Sequence, residues 1–323
     1  MKVLCIGHSS YDITLPVSEY PKENTKYRVD KKYECGGGPA GNAAYLLGKW
    51  GVETYYQGMV GKDTFGEKIL KEYKNVNVDT SLVEVSEEED TTVSFILVNE
   101  KNGSRTLFNY AKKRPELKPV EYNIEPDIIH VDGHFYEASK KAFEKFPNAI
   151  KVIDAGRITD ELLELCTMVD YLICSKGFAE TVAKERFNYN DNNSLKSIFE
   201  TLENKFKCNI VVTLEEKGCL YKIDGKIKVM TGLKVEAKDT TGAGDIFHGA
   251  FIYGLSKQLP LEKCLKIANI TAGLSVKKIG SRLSIPNVEE VYKIYDKNRW
   301  SIYKNITTIR FTRRRLDDFS CFS

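Results

Sequence analysis

The apolar positions of this chain follow two periods. Short continuous runs, Val3 to Ile6, Ile128 to Val131, Val152 to Asp154, Tyr171 to Cys174 and Asn209 to Thr213, have the length of buried strands. Between the later runs the apolar residues recur at helical spacing, as in Leu195 to Phe206 and Leu261 to Lys277. Such alternation predicts parallel strands joined by right-handed crossovers. It also predicts a ligand crevice at the C-terminal ends of the strands. The first third of the chain reads differently. Ile13 to Glu34 is polar with short alternating pieces, the pattern of exposed strands. Thr92 to Val98 alternates, Asn102-Gly103 makes a turn and Arg105 to Tyr110 returns, which predicts a hairpin. Thr64-x-x-Glu67 reads as a capping box opening a helix through about Tyr73.

Two glycine stretches interrupt these elements. Asp239-Thr240-Thr241-Gly242-Ala243-Gly244-Asp245 precedes a helix whose apolar face is Ile246, Phe247, Ala250, Phe251, Gly254 and Leu255, and Ile227, Val229 and Met230 suggest a strand before it. Small residues let a ligand approach the backbone, and the free N–H groups of a helix start favour an anion. Asp245 is the one ionisable side chain in that first turn, placed as a base beside a bound phosphate. The second stretch, Gly36-Gly37-Gly38-Pro39-Ala40-Gly41-Asn42, leads into a helix with Pro39 near its first turn, so Asn42 points toward whatever the glycines approach. Asp12, Thr213 and Asp245 all follow expected strands and can converge in one crevice.

Composition narrows the class. With 323 residues, 42% hydrophobic and 29% charged, the chain can bury a large core. A net charge of +3 is too small to argue for nucleic acid. Basic residues cluster only at Arg310, Arg313, Arg314 and Arg315, either a solvated tail or a phosphate contact. Eight cysteines without a CxxC pair read as reduced thiols, which points to the cytoplasm. The apolar run after Met1 is too short for a signal peptide, and none approaches the ~20 residues of a membrane span. His130 and His134 have the spacing of a zinc pair, but on a strand and without a third ligand.

Both glycine stretches, in this order, resemble the two signatures of the ribokinase-like (PfkB) carbohydrate kinases. The resemblance covers residues 1 to about 295. It implies a three-layer α/β/α domain over 1–297, with a mostly parallel sheet and a small β lid from segments about 13–34 and 91–112. Residues 298–323 form an extension of unknown role. It implies transfer of the ATP γ-phosphate to a sugar hydroxymethyl group, with Mg²⁺ bridging the ATP oxygens. Asp245 would be the base, and the N–H groups of Gly242, Ala243 and Gly244 would hold the moving phosphoryl group. Asp12, Gly38 and Asn42 would bond the sugar, with Asn109 and His134 beside them. Thr213-Leu214-Glu215-Glu216-Lys217-Gly218 resembles the nucleotide loop, Glu215 standing in place of a glycine. Asn269 corresponds to an adenine contact or is a helix-surface residue. Asp239, Thr241, Gly280 and Ser284 correspond to a loop for a monovalent cation such as K⁺.

The family's Asn-x-x-Glu motif is missing, and Ser175-Lys176 stands there, as in ketohexokinase-like members. Lys176 either neutralises phosphate or is a surface lysine at a helix start. His130-Val131-Asp132-Gly133-His134 also resembles ketohexokinase. Sulfofructose kinases carry an arginine where His134 falls, so its absence implies an uncharged sugar, fructose or another ketose ahead of ribose. A nucleoside kinase and a non-catalytic sugar-binding regulator are the alternatives. Lid strands with little chain beside them imply a homodimer through the lids.

Overall fold

The computed structural model describes residues 1–110 and 116–296, and the backbone of 303–305. In chain order the elements are β1 (Lys2–Ile6), β2 (Ser10–Val17), β3 (Tyr33–Gly37), α1 (Pro39–Lys49), β4 (Glu53–Gln57), β5 (Met59–Gly61), α2 (Thr64–Asn75), β6 (Val78–Asp79), β7 (Glu84–Ser86), β8 (Val93–Asn99) and β9 (Arg105–Tyr110). Then follow β10 (Ile128–Val131), α3 (Tyr136–Lys145), β11 (Ile150–Ala155), α4 (Asp160–Cys166), β12 (Tyr171–Ser175), α5 (Lys176–Ala183), α6 (Asn192–Phe206), β13 (Asn209–Thr213), β14 (Cys219–Ile223), β15 (Lys226–Met230), α7 (Ala243–Ser256), α8 (Leu261–Ser275), α9 (Val288–Asp296) and β16 (Tyr303–Asn305).

Among the described residues the central sheet runs β16-β15-β14-β13-β12-β11-β10-β1-β4-β6. From β13 to β6 every neighbouring pair is parallel, while β14, β15 and β16 add an antiparallel edge. Successive side chains of a strand point to opposite faces, so the apolar runs feed two cores. Val3, Val152, Ile173 and Val211 join α1, α7 and α8 on one face. Leu4, Ile153, Leu172 and Val212 join α3 to α6 on the other. The three expected layers are present, with strand ends close to those read from the sequence.

A second sheet, β3-β2-β8-β9, is separate from the central one, starts just past the C-terminal end of β1, and corresponds to the lid segments expected from the sequence. Ile13 to Glu34 is not a run of exposed strands: residues 18–32 are loop, and β2 is largely buried because it lies between β3 and β8. The hairpin of β8 and β9 forms as expected around Asn102-Gly103. The start of α2 also differs. The cap is Asp63, whose carboxylate accepts from the N–H groups of Phe65 and Gly66, and Thr64 is already helical. A carboxylate one residue earlier reaches two orphan donors at once. Between β15 and α7 the chain is irregular, so no strand feeds directly into the glycine turn. Of residues 298–323 only the edge strand β16 is described; the arginine cluster lies outside the described residues.

Candidate active site

The site forms where the lid meets the start of α7. Gly242 caps this helix in the left-handed region, at φ 73°, which an L side chain rarely adopts. Gly244 follows in the first turn, and a Cβ there would meet nothing within 4 Å. Packing does not demand glycine at that position; it leaves room for a ligand beside the Gly244 N–H, while the Ala243 N–H donates to Thr240 O at 3.3 Å. At the start of α1, Gly38 has φ 88° and passes so near the His8 backbone that a Cβ would collide with it. The close approach brings α1 under the lid and turns Asn42 toward α7.

Asn42 Nδ2 donates to Asp245 Oδ2 at 2.7 Å. Burial pushes the Asp245 carboxyl above its ordinary value, against the Asn42 hydrogen bond and the nearby His248 and Arg105, while Asp132 adds to the rise. Asp12 lies inside β2, so this acid comes from the lid and not from the rim of the central sheet. It accepts from Ser10 Oγ at 2.9 Å and Ser281 Oγ at 3.1 Å. Burial raises its pKa also, and the two serines and Arg282 oppose the rise. Asp12, Ser94 and Asn109 are paired in register across β2, β8 and β9, so Asn109 shares the row of Asp12. At the hairpin end, Arg105 Nη1 donates to Thr240 Oγ1 at 2.6 Å, which ties the lid to the glycine turn.

Behind the crevice lie all four histidines of the chain. His134 Nδ1 is 3.0 Å from Asp132 Oδ1, and the His8 and His134 rings are 4.8 Å apart. Asp132 accepts from the N–H groups of His8, Ala40 and His134. Burial favours its neutral form, but the His134 ring and these donors win and hold it well below the carboxylate range. His130 stacks on His248 and is pushed down to about 3 by burial and by His248. Asp154, at the end of β11, faces His248 at 3.5 Å. Burial, partly offset by His248 and reinforced by Asp245, brings Asp154 up to about 6. Among the described residues no group of three or more His, Cys, Asp or Glu is arranged to hold a metal ion. His130 lies in β10 and His134 in the turn between β10 and α3.

The second half of the crevice begins at Ser175, which caps α5 through its hydroxyl. Lys176 opens that helix, and its ammonium lies 5.5 Å from the Tyr189 ring, with Lys217 at 4.8 Å from the same ring. Thr213 ends β13, and its hydroxyl donates to Cys174 O at 3.2 Å. Glu215 has φ 56°, and Gly218 has φ 97°. The loop thus holds Glu215 in the conformation that the glycine of the resembling loop would adopt freely. Asn269 is buried and donates to Cys219 Sγ at 3.3 Å. Asp239 is buried as well: one oxygen accepts from the Thr241 N–H and hydroxyl, the other from the Gly280 N–H. Ser284 Oγ donates to Ser281 O within the loop 280–284, and that loop meets the glycine turn where the Gly280 N–H bonds Asp239 and Ser281 packs against Gly242.

The residues of the two signatures converge, although Asn42 and Asp245 lie 203 positions apart. Sequence reasoning missed Asp132, Asp154, His248, Ser281 and Arg282. Asp154 could have been found, because it is a carboxylate at the end of a readable strand.

Residues 1–288 match the model of the pfkB family of carbohydrate kinases. A nucleoside kinase of Methanocaldococcus jannaschii is 28% identical over 307 residues, covering 92% of this chain and 98% of that protein. A ribokinase of Staphylococcus aureus is 26% identical, covering 91% and 99%. In structure, the ribokinase of Arabidopsis thaliana, solved with ribose and ATP, superposes with a TM-score of 0.75 at 21% identity, covering 91% of this chain and 98% of that one.

Proposed function

The chain belongs to the pfkB family of carbohydrate kinases, and from that premise we propose that it transfers the γ-phosphoryl group of ATP to a hydroxymethyl group of a small uncharged sugar. The observation that carries the reading is the Asn42–Asp245 contact beside the Gly242-Ala243-Gly244 turn, which is open at Gly244. Asp245 takes the proton of the attacking hydroxyl. The N–H groups of the turn stabilise the phosphoryl charge. Asp12, Asn42, the Gly38 backbone and Asn109 hold sugar hydroxyls, with His134 at the floor. A ketose such as fructose, or ribose, is the acceptor class.

ATP lies toward Lys176, Thr213, Glu215 and Gly218; the Arabidopsis ribokinase, alike in fold, was solved with ATP. The buried Asn269 supports this side of the crevice through Cys219. Mg²⁺ bound with the phosphate oxygens would supply neutralisation of their charge. Asp132 and Asp239 are engaged by backbone N–H groups and Asp12 by Ser10 and Ser281, so Asp154 and Asp245 are the carboxylates that would hold it. The loop of Asp239, Thr241, Gly280 and Ser284 suits a monovalent cation such as K⁺. Its buried carboxylate forms no ion pair with a Lys, Arg or His among the described residues.

A nucleoside kinase is the second reading. It is favoured by the Methanocaldococcus relative. Leu107 also favours it, for it is paired with Ile96 on the lid strands and exposed, and it offers an apolar wall that a free sugar does not need. The test is ADP release over free sugars, sugar phosphates, sulfosugars and nucleosides. The preferred acceptor by kcat/KM should be an uncharged sugar, and preference for a nucleoside replaces the first reading by the second. On that acceptor Asp245→Asn should lower kcat by ~10²-fold or more, the usual scale for a lost general base, with acceptor and ATP still bound. Near-normal turnover by the variant overturns the assignment of the base.

A further inference from the structure

We infer that Arg282, held by Glu72 and Tyr73, is a positioning residue that fixes the orientation of the Asn42 amide toward Asp245. The guanidinium is almost fully buried at the short helical turn Arg282–Ser284. Nη1 donates to Glu72 Oε2 at 2.9 Å, and Nη2 donates to Tyr73 Oη at 2.9 Å. Nη2 also lies 3.4 Å from Gly37 O and 3.5 Å from Ser9 Oγ. The group sits 4.5 Å from the centre of the Tyr73 ring and 5.3 Å from that of Tyr45. One direction remains, and there Nε donates to Asn42 Oδ1 at 3.4 Å.

An arginine has donors only, and an ionised carboxylate has acceptors only. Asn42 lies between the two. With Oδ1 on Arg282 and Nδ2 on Asp245, both contacts are attractive. Rotating the amide by half a turn sets NH₂ against the guanidinium and oxygen against the carboxylate, so both become repulsive. A neutral residue at 282 removes one half of that choice. The same turn reaches Asp12 through Ser281 Oγ and Asp239 through the Gly280 N–H. Arg282 makes no hydrogen bond to the Gly242-Ala243-Gly244 turn or to Asp12, Ser94 and Asn109; its charge opposes the rise of the Asp12 pKa, and its one hydrogen bond toward Asp245 passes through Asn42.

The inference rests on Asp245 as the base, so the first readout is independent of turnover. In ¹⁵N-asparagine-labelled protein the Asn42 side-chain NH₂ pair is identified by its loss in Asn42→Ala. In the parent protein the two protons should be well separated, one bonded to Asp245. In Arg282→Lys and Arg282→Gln the pair should collapse toward free-amide shifts or broaden. Kinetics with MgATP and the acceptor that the parent turns over fastest form the second readout. The expected result is a fall in kcat of about 10-fold or more, with the KM for MgATP within about twofold. In the Asn42→Ala background the further loss from Arg282→Lys should be less than twofold. Unchanged Asn42 signals in the presence of a lowered melting temperature, or fully multiplicative losses in the double variant, overturn the inference and leave Arg282 as a packing residue. If the Arg282 variants do not fold, Glu72→Gln and Tyr73→Phe loosen the guanidinium without emptying its pocket and are read by the same two criteria. Loss of the NH₂ separation without any loss of kcat sinks the assignment of the base while leaving the positioning intact.

Discussion

The residues of this site are charged groups kept from water and set against one another. Asp154 illustrates the consequence. Its carboxyl is raised to about 6, burial being the main cause, against an unfolded value near 3.9. The folded state therefore keeps this proton after the unfolded state has released it. Stability from this group is full below about pH 4 and declines as pH rises through about 6. Asp154→Asn removes that dependence. The variant should gain on the parent between pH 4 and pH 7.5, by on the order of 2–3 kcal/mol before allowance for the lost His248 contact. Thermal melts across that range check it, and a difference that stays constant with pH counts against it. Asp154 also marks the limit of what the sequence disclosed at this scale. Asp12, Asn42 and Asp245 are legible because glycines and strand ends announce them. Arg282 is not, since Gly-Ser-Arg-Leu-Ser reads as a surface turn, and its partner Glu72 lies 210 positions away on a helix.

At the scale of elements, periodicity carried the central sheet because a strand buried on both faces has little choice of composition. It failed for β2, whose polar residues are covered by other strands, and at α2, where Asp63 outcompetes Thr64 for the orphan N–H groups. The nucleotide loop offers a test of local conformation. Glu215 sits at φ 56°, a conformation that costs a side-chain-bearing residue about 1–2 kcal/mol. Against this, glycine makes the unfolded chain more flexible by about 0.4–1 kcal/mol. Glu215→Gly should therefore be neutral or stabilising by up to ~1 kcal/mol, whereas the β-branched Glu215→Val should destabilise. Urea unfolding of the three proteins decides it; a glycine variant less stable than the valine variant excludes the backbone explanation.

For the whole molecule the lid is the open question. On its outer face Phe95 and Phe108 are paired in register and are 45% and 58% exposed, with Tyr110 at 53% nearby. A monomer gains nothing from such a patch. We therefore expect a homodimer in which the lids cover each other, and Phe95→Ser with Phe108→Ser should give a monomer by light scattering at micromolar concentration. A parent protein that is already monomeric with and without acceptor removes the dimer.

The turn that carries Ser281 and Arg282 has one more consequence, which concerns the order of synthesis. The slot for the guanidinium, lined by Tyr45, Glu72 and Tyr73, belongs to the first quarter of the chain. Its occupant emerges from the ribosome only near the end. Until then the partly exposed Glu72 carboxylate faces an unfilled slot, and Asn42 has only one of the two partners that choose its orientation. A ribosome-bound chain ending before Arg282 should carry the lid, α1 and α7 and yet lack a competent centre, so that a turn made late switches on residues that were made early.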